Sequence, residues 1–458
     1  MTRWLTLLCL PLLLGTCALA QNNEAVATDP TGDLIGLSLT ADQIKARFNL
    51  RGDGKANDTR GLQDYLDFAV RTGEPMVIPA GDYVVDQLVY DAPNGREQKL
   101  LIRGQGYATR LLATGKSAYA VKLIGRDIQL RDLEVDGKAA GSRAASGIYM
   151  SNNYNMSGMQ NVRARNFRNG AAFHLGTPNW TLQFTNCEFR DSRVALKIGD
   201  DAAVDPANKN FTREGSGNML TFQGCSLASS DTAIIIGAPP RGEAAPRGQF
   251  QAISFYGCNI SATNRIVVAS GVDDNLVLSD CYLERSKGHE PLVETPFIYF
   301  ELYNLGNFTM RGGHINSSCQ KLVVANYCES VLIDNILSYG NSLTNSKDPE
   351  ATFFDLTNVR RTIVRNSQIN KNGVGHLFTV TQRRSAPPGY SKALDYQKMD
   401  IVLDNARVRN AKGPTWKIDA DRISDVNVYF YGTERYGIMD ELYENYSVKR
   451  VETLQKRN

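Results

Sequence analysis

The sequence predicts an all-β chain wound as a parallel β-helix, a solenoid of short strands closed near its start by a helix. Three observations predict it. A six-residue phrase recurs from residue 128 onward, in the order apolar, any, Asn/Asp/Gly, small or apolar, any, apolar. A second short apolar stretch follows the copies, and in both stretches apolar residues recur with the period of a strand and not of a helix.

The phrase is seen in Leu130-Arg131-Asp132-Leu133-Glu134-Val135 and in Phe184-Thr185-Asn186-Cys187-Glu188-Phe189. Three more copies are centred on Cys225, Cys258 and Cys281, and fainter ones on Gly313, Ile336, Ser367 and Ala406. From Cys187 the successive intervals are 38, 33, 23, 32, 23, 31 and 39 residues. A minimal period of about 22 residues with loops of varied length fits stacked coils of two or three strands each. The second stretches include Ala172-Phe173-His174-Leu175-Gly176, Ala195-Leu196-Lys197-Ile198-Gly199 and Ala233-Ile234-Ile235-Ile236-Gly237. Stacking turns inward residues into columns, so Cys187, Cys225, Cys258 and Cys281 are expected as an internal ladder of small side chains. Neither CxxC spacing nor paired histidines favour zinc. Cys319 and Cys328 remain open to a disulfide. The open end of a solenoid needs a cover. Asp58-Thr59 offers a helix N-cap, and Leu62, Tyr65, Leu66, Ala69 and Val70 follow helical spacing up to Gly73-Glu74-Pro75.

Fifty-one Lys+Arg against 48 Asp+Glu leave a net charge of +3 in 458 residues. No concentrated basic patch is found beyond the short C-terminal run Lys449-Arg450 and Lys456-Arg457, which argues against a nucleic-acid partner. Arg3, the apolar stretch Leu5 to Leu14 and Ala18-Leu19-Ala20 read as a signal peptide cleaved after Ala20, giving a secreted or periplasmic chain. No later segment is apolar for the ~20 residues of a membrane span. The expected organisation is signal peptide 1–20, an N-terminal segment 21–46, a β-helix domain 47–440 with its capping helix near 59–72, and a tail 441–458.

Phe48-Asn49-Leu50-Arg51-Gly52-Asp53-Gly54-Lys55-Ala56-Asn57-Asp58-Thr59, then Leu62-Gln63, then Val77-Ile78-Pro79-Ala80-Gly81-Asp82-Tyr83, resembles the opening of the pectate-lyase-like superfamily. That resemblance implies the right-handed form of the β-helix. It also implies a fold shared by polysaccharide lyases, glycosidases, epimerases and tailspike-like proteins. It implies no particular activity, because fold does not fix function. The Asp-Pro-His signature of mannuronan epimerases is missing. Gly199-Asp200-Asp201 resembles one polygalacturonase element, but no Gly-His-Gly or Arg-Ile-Lys element accompanies it.

Such solenoids hold extended sugar chains across their coils, so chemistry must come from outward residues of adjacent turns. Aligning the second stretches places Tyr149, His174 and Lys197 outward in one row. β-Elimination of a uronate needs a base for the C5 proton, an acid for the departing oxygen and a cation for the carboxylate. His174 or Lys197 fits the base and Tyr149 the acid. Arg163, Arg165, Arg190 and Arg193 offer planar forks for the carboxylate. Glycoside hydrolysis instead needs two carboxyls, for which Asp200, Asp201 and Asp231 are the candidates. Tyr299 and Glu301 are expected outward, lining a distal sugar subsite. No cofactor is required by any motif; Ca²⁺ from loop carboxylates stays open, and the metal is unknown. The leading expectation is an exported enzyme acting on an acidic polysaccharide by β-elimination. A glycoside hydrolase and a non-catalytic polysaccharide-binding surface protein are the alternatives.

Overall fold

The computed structural model describes residues 39–92, 99–141, 143, 145–154, 157–199, 217–237, 250–286, 297–317, 319–338, 351–370, 375–384, 398–409, 415–432 and 449–451. The chain separates into two units, 1–39 and 40–458. Only the second is described below; the expected signal peptide lies outside the described residues.

The second unit is a right-handed parallel β-helix in which every strand pairing is parallel. Each full coil has three faces. The coil after Asn179 shows the pattern. Asn179–Thr185 lies on the first face. Residues 188–189 pair with 226–227 on the second, and residues 194–198 pair with 232–236 on the third. From Asp132 onward the turn from first to second face is two residues long in coil after coil, and its first residue is the phrase's Asn/Asp/Gly; the earlier coils use residues 78–80 and 104–108. Asp132, Asn161, Asn186, Asp280, Asn335, Asn366 and Asn405 all have φ between 49° and 55°. Gly224, Gly257 and Gly312 take the same conformation. This left-handed region excludes most side chains sterically and admits Asn, Asp and Gly most readily, which is why the phrase carries them.

Parallel register then stacks like on like. Phe184, Phe222 and Phe255 pile ring on ring at 4.5 and 4.8 Å, the spacing of paired strands. Phe354, Phe378 and Trp416 do the same at 4.8 and 4.6 Å. Cys187, Cys225, Cys258 and Cys281 form the expected internal column, each buried and free, with its Sγ directed at backbone carbonyls. Hydrogen bonding among neighbouring thiols, reinforced by burial, pushes Cys225 and Cys281 well above the ordinary thiol range.

The cap is α2, Thr59–Thr72, ended by Gly73 at φ 74°. Asp58 occupies the N-cap but its carboxylate is used elsewhere. It accepts from the amides of Arg51 (2.7 Å) and Gly52 (3.2 Å), tying the incoming loop to the helix. Leu62, Tyr65, Leu66 and Ala69 are buried as expected, and Phe68 is buried where Val70 was expected. The reason is a shorter helix preceding it, α1 (Ala41–Arg47), which falls largely in the expected N-terminal segment 21–46. Phe48 stacks on Tyr65 at 4.4 Å, and Arg47 sits 4.4 Å over Phe68. At the other end the expected tail contains Lys449–Val451, paired in parallel with residues 427–429.

Two expectations are corrected. Cys319 and Cys328 are both free and buried. They flank the strand Lys321–Asn326, whose six residues span roughly 17 Å, whereas a disulfide requires Cα atoms within about 7 Å. Tyr299 is fully buried, its hydroxyl donating to the Ser317 carbonyl at 3.0 Å. Strand pairing matches Arg265 with Ile298 and Val267 with Phe300, leaving Ile266 and Tyr299 in an interior corner column with Ala195 and Ala233. Strict alternation fails where the chain rounds a corner.

The corner geometry makes a direct prediction. Asn335→Val should lower unfolding free energy by about 1–2 kcal/mol, because a β-branched side chain is disfavoured in the left-handed region that Asn tolerates, while Asn335→Gly should be close to neutral. Urea titration of both variants checks it; equal stability would mean that the turn relaxes.

Candidate functional site

The third face carries the expected row. Its ladder pairs Lys122 with Tyr149, Tyr149 with His174, and His174 with Lys197. One side chain per coil therefore projects along a line, about 4.8 Å apart. Beyond Lys197 the same ladder runs through Ile235 and Val268 to Glu301. Glu301 is thus four steps beyond His174, and its carboxylate pairs with Arg265 Nε at 2.7 Å and Tyr303.

His174 points away from the solenoid interior yet is only 6% exposed. Its cover is aromatic. Tyr149 meets it edge-on at 5.1 Å, and Tyr119, one coil before Tyr149, packs on Tyr149 at 4.8 Å. Nε2 of His174 lies 2.9 Å from the Gly199 carbonyl oxygen, and Nδ1 lies 2.9 Å from the Tyr119 hydroxyl. A carbonyl only accepts, so Nε2 carries a proton. In the neutral ring Nδ1 therefore accepts from Tyr119. Gly176 makes room for this cluster: a β-carbon there would fall 2.2 Å from the Tyr149 hydroxyl oxygen.

Sequence alignment of the second stretches began at Tyr149 and so missed Tyr119 and Lys122. Val121-Lys122-Leu123 repeats the alternation of Ile148-Tyr149-Met150 one coil earlier, and extending the alignment by that coil finds both residues. Lys122 Nζ lies 3.8 Å from Asp91. Also missed was an aromatic edge where the turns from the third face enter the first. Trp180 is 43% exposed and lies 6.0 Å from Tyr154, over which Arg126 sits at 5.2 Å.

The other candidates divide by face. Arg163, Arg165 and Arg190 stand on the second face and not beside the row. Arg163 clasps Glu188 through two bonds of 2.8 and 2.9 Å and reaches Glu134 at 3.1 Å. Arg165 binds Glu134 at 2.8 Å and Asp136 at 3.4 Å. Their forks are filled by internal carboxylates. Arg190 is half exposed, 3.1 Å from Asp191. Arg193 lies at the corner of the second and third faces, 3.6 Å from Asp231. Asp231 also accepts from Asn264 Nδ2 at 2.9 Å. It begins a third-face strand whose far end lies beside Gly199, so it is about a strand's length from the point where the chain leaves for Asp200. Asp200 and Asp201 lie outside the described residues. Among the described residues no three His, Cys, Asp or Glu side chains converge as a metal site. No helix among them is long and apolar enough to cross a membrane.

Long connections also favour the third face. Residues 199–216, 237–249 and 383–398 follow its strands, and 286–297 and 339–351 precede them. The turns from first to second face remain two residues long beside them. Insertions on a rigid scaffold concentrate where ligands are held.

No family model matches the chain. Over 111 residues it is 34% identical to a protein of Klebsiella phage KN3-1 described as "Depolymerase 1, capsule KN3-specific"; this spans 20% of the chain and 14% of the phage protein. The chain thus matches about one seventh of that relative's length. Among solved structures it is similar to a mannuronan C-5 epimerase A-module of Azotobacter vinelandii (14% identity, 85% of this chain and 97% of that one, TM-score 0.46). It is also similar to the gp42 tailspike of Acinetobacter phage vb_AbaP_AS12 (10%, 82% and 60%, 0.47) and to the surface adhesin PfbA of Streptococcus pneumoniae (11%, 85% and 90%, 0.43). Likenesses this distant carry nothing about function. The architecture rests on the strand pairing of the chain itself, and it agrees with the pectate-lyase-like resemblance of the opening segment.

Acid sensitivity follows from the second-face cluster. Hydrogen bonds from Arg163 hold the Glu188 carboxyl below its ordinary value against the opposing effect of burial. Because the folded value is depressed, the contribution is present at neutral pH and is lost as pH falls through that value. Glu188→Gln should therefore flatten part of the decline in melting temperature below pH 4.5. An unchanged slope would assign the acid sensitivity to other carboxyls.

Proposed function

We propose that the chain is a carbohydrate-active enzyme that cleaves an acidic polysaccharide by β-elimination on the third face. The observation that carries this reading is the Tyr119–His174–Gly199 chain of hydrogen bonds, set between Tyr149 and Lys197 on the face whose edges hold the long connections. The capsule-specific depolymerase description of the phage relative supports a polymeric glycan as substrate.

In this reading Tyr119 faces the sugar and His174 stands behind it. Tyr119 Oη removes the C5 proton as its own proton passes to Nδ1 of His174. The resulting imidazolium donates from both nitrogens, to Tyr119 and to the Gly199 carbonyl, so the charge is fully hydrogen-bonded. Ammonium groups of Lys197 and Lys122 balance the uronate carboxylate as electron density moves onto it. The C4–O bond then breaks, a C4=C5 double bond forms, and Tyr149 gives its proton to the departing oxygen. Trp180 and Tyr154 offer faces on which neighbouring pyranose rings stack. A row rising about 4.8 Å per coil suits a sugar chain laid along the solenoid axis.

The test is ultraviolet absorbance growth, with a parallel reducing-end assay, on alginate, polygalacturonate, hyaluronan and capsular polysaccharides, with and without Ca²⁺. Both signals should rise together on one polymer. On that polymer Tyr119→Phe and His174→Ala should each lower kcat at least 100-fold, and Trp180→Ala should act mainly through a rise in KM. Reducing ends without absorbance would overturn elimination in favour of hydrolysis. Binding without either signal would overturn catalysis in favour of a non-catalytic polysaccharide-binding protein.

A further inference from the structure

A second concavity lies away from the third face, at the corner between the first and second. Its volume is about 660 Å³, and its lining includes Tyr107, Asp132, Asn161, Asn186, Glu188, Arg190 and Ser226. That volume falls within the ~300–1,000 Å³ of ordinary small-ligand sites. Nothing in the proposed elimination uses it.

Three features make it more than a surface dent. First, Tyr107 is held rigid while remaining 36% exposed. The Arg163 guanidinium lies 3.8 Å under one ring face, and the hydroxyl donates to Glu188 at 3.3 Å, 81 residues along the chain. A pinned, exposed aromatic ring is a stacking platform that loses little freedom when it is covered. Second, the side-chain ladder along this corner is interrupted here. Elsewhere corner amides pair with their neighbours, as in Asn161 with Asp132 (3.0 Å) and Asn405 with Asn366 (3.1 Å). The next two coils after Asn186 carry Gly224 and Gly257, which offer no side chain, and a β-carbon at Gly257 would meet nothing within 4 Å. Among the described residues the Asn186 amide group and the Ser226 hydroxyl have no hydrogen-bond partner. Third, the donors and acceptors are planar or hydroxylic, the types that bridge vicinal hydroxyls.

The charges narrow the ligand. Asp132 is already engaged by Arg103 at 3.0 Å, and Glu188 by Arg163, and both carboxylates line the concavity. Arg190 is the cation at the rim, 3.9 Å from Glu188. A phosphate or uronate would meet two carboxylates; an uncharged pyranose meets a ring face and a set of amide, carboxylate and hydroxyl groups.

We propose that this corner is a second glycan-binding site, taking neutral pyranose residues stacked on the outer face of Tyr107 and hydrogen-bonded to Asn186, Glu188, Arg190 and Ser226. It stands whether or not the third-face row is catalytic, because the two sites lie on different faces. The test uses the full chain and a panel of neutral hexasaccharides (cello-, laminari-, manno- and galacto-configured) beside hexagalacturonate, with binding read by saturation-transfer NMR and calorimetry. At least one neutral hexasaccharide should bind with a millimolar or tighter Kd. Ser226→Trp, a solvent-side strand position that fills the concavity, should weaken that binding at least tenfold, as should Arg190→Ala. His174→Ala should leave it unchanged. Melting temperatures within a few degrees of wild type keep the two blocking variants interpretable, and Tyr107→Phe, which keeps the ring, should retain binding if either blocking variant unfolds. Absence of binding by every neutral hexasaccharide would overturn the proposal. So would binding that survives Ser226→Trp in folded protein, or that His174→Ala removes.

Discussion

A two-residue corner that only a few amino acids can form is the constraint on which this molecule depends. Each coil leaves its first face through a residue at φ near +50°, followed by a small or apolar residue packed inward. Because the turn keeps the same length and conformation from Asp132 to Asn405, the first-face strands of adjacent coils are held in register through that stretch. Register is what lets Phe184, Phe222 and Phe255 stack at strand spacing and lets four cysteines share one column. A one-residue slip of any of these strands would send core side chains to solvent.

The same register that builds the core also builds surface rows, and here its consequences differ by face. On the second face it lines up charges of opposite sign. Glu134 is buried between Arg163 and Arg165 and accepts three hydrogen bonds from them, so its carboxylate has the partners that burial demands. Those arginines hold the coils together. On the third face the row is aromatic and basic. Two tyrosines cover His174, and the imidazole is satisfied at both nitrogens by groups from the coils on either side. A histidine so held has one tautomer when neutral.

Division of labour between corners follows the same logic. From Asp132 onward the turn from first to second face carries no insertion, so its surface there is built from the ladder itself and is interrupted where glycine takes the corner position. The ends of the third-face strands accept long connections, because the residues there do not set the register of the next coil.

Much of this was legible in the sequence. The Asn/Asp/Gly position, the apolar flanks and the cysteine column announce coils because each is a local requirement repeated every turn. The row of Tyr149, His174 and Lys197 followed from the same alignment, and so did the cap, since Leu62, Tyr65, Leu66 and Ala69 mark a helical face whatever lies beneath it. Four things were decided only in three dimensions. Tyr299 turned inward because a corner breaks alternation, and Cys319 and Cys328 were parted by the strand between them. Arg163 and Arg165 were taken by Glu188 and Glu134, residues 25 to 31 positions away in the chain. Tyr119 reached His174 across two coils. Sequence by itself determined the repeated turn, because a backbone conformation at φ near +50° selects residues one at a time. Tertiary structure decided the partners of each polar side chain, because those depend on which coils the stacking brings together.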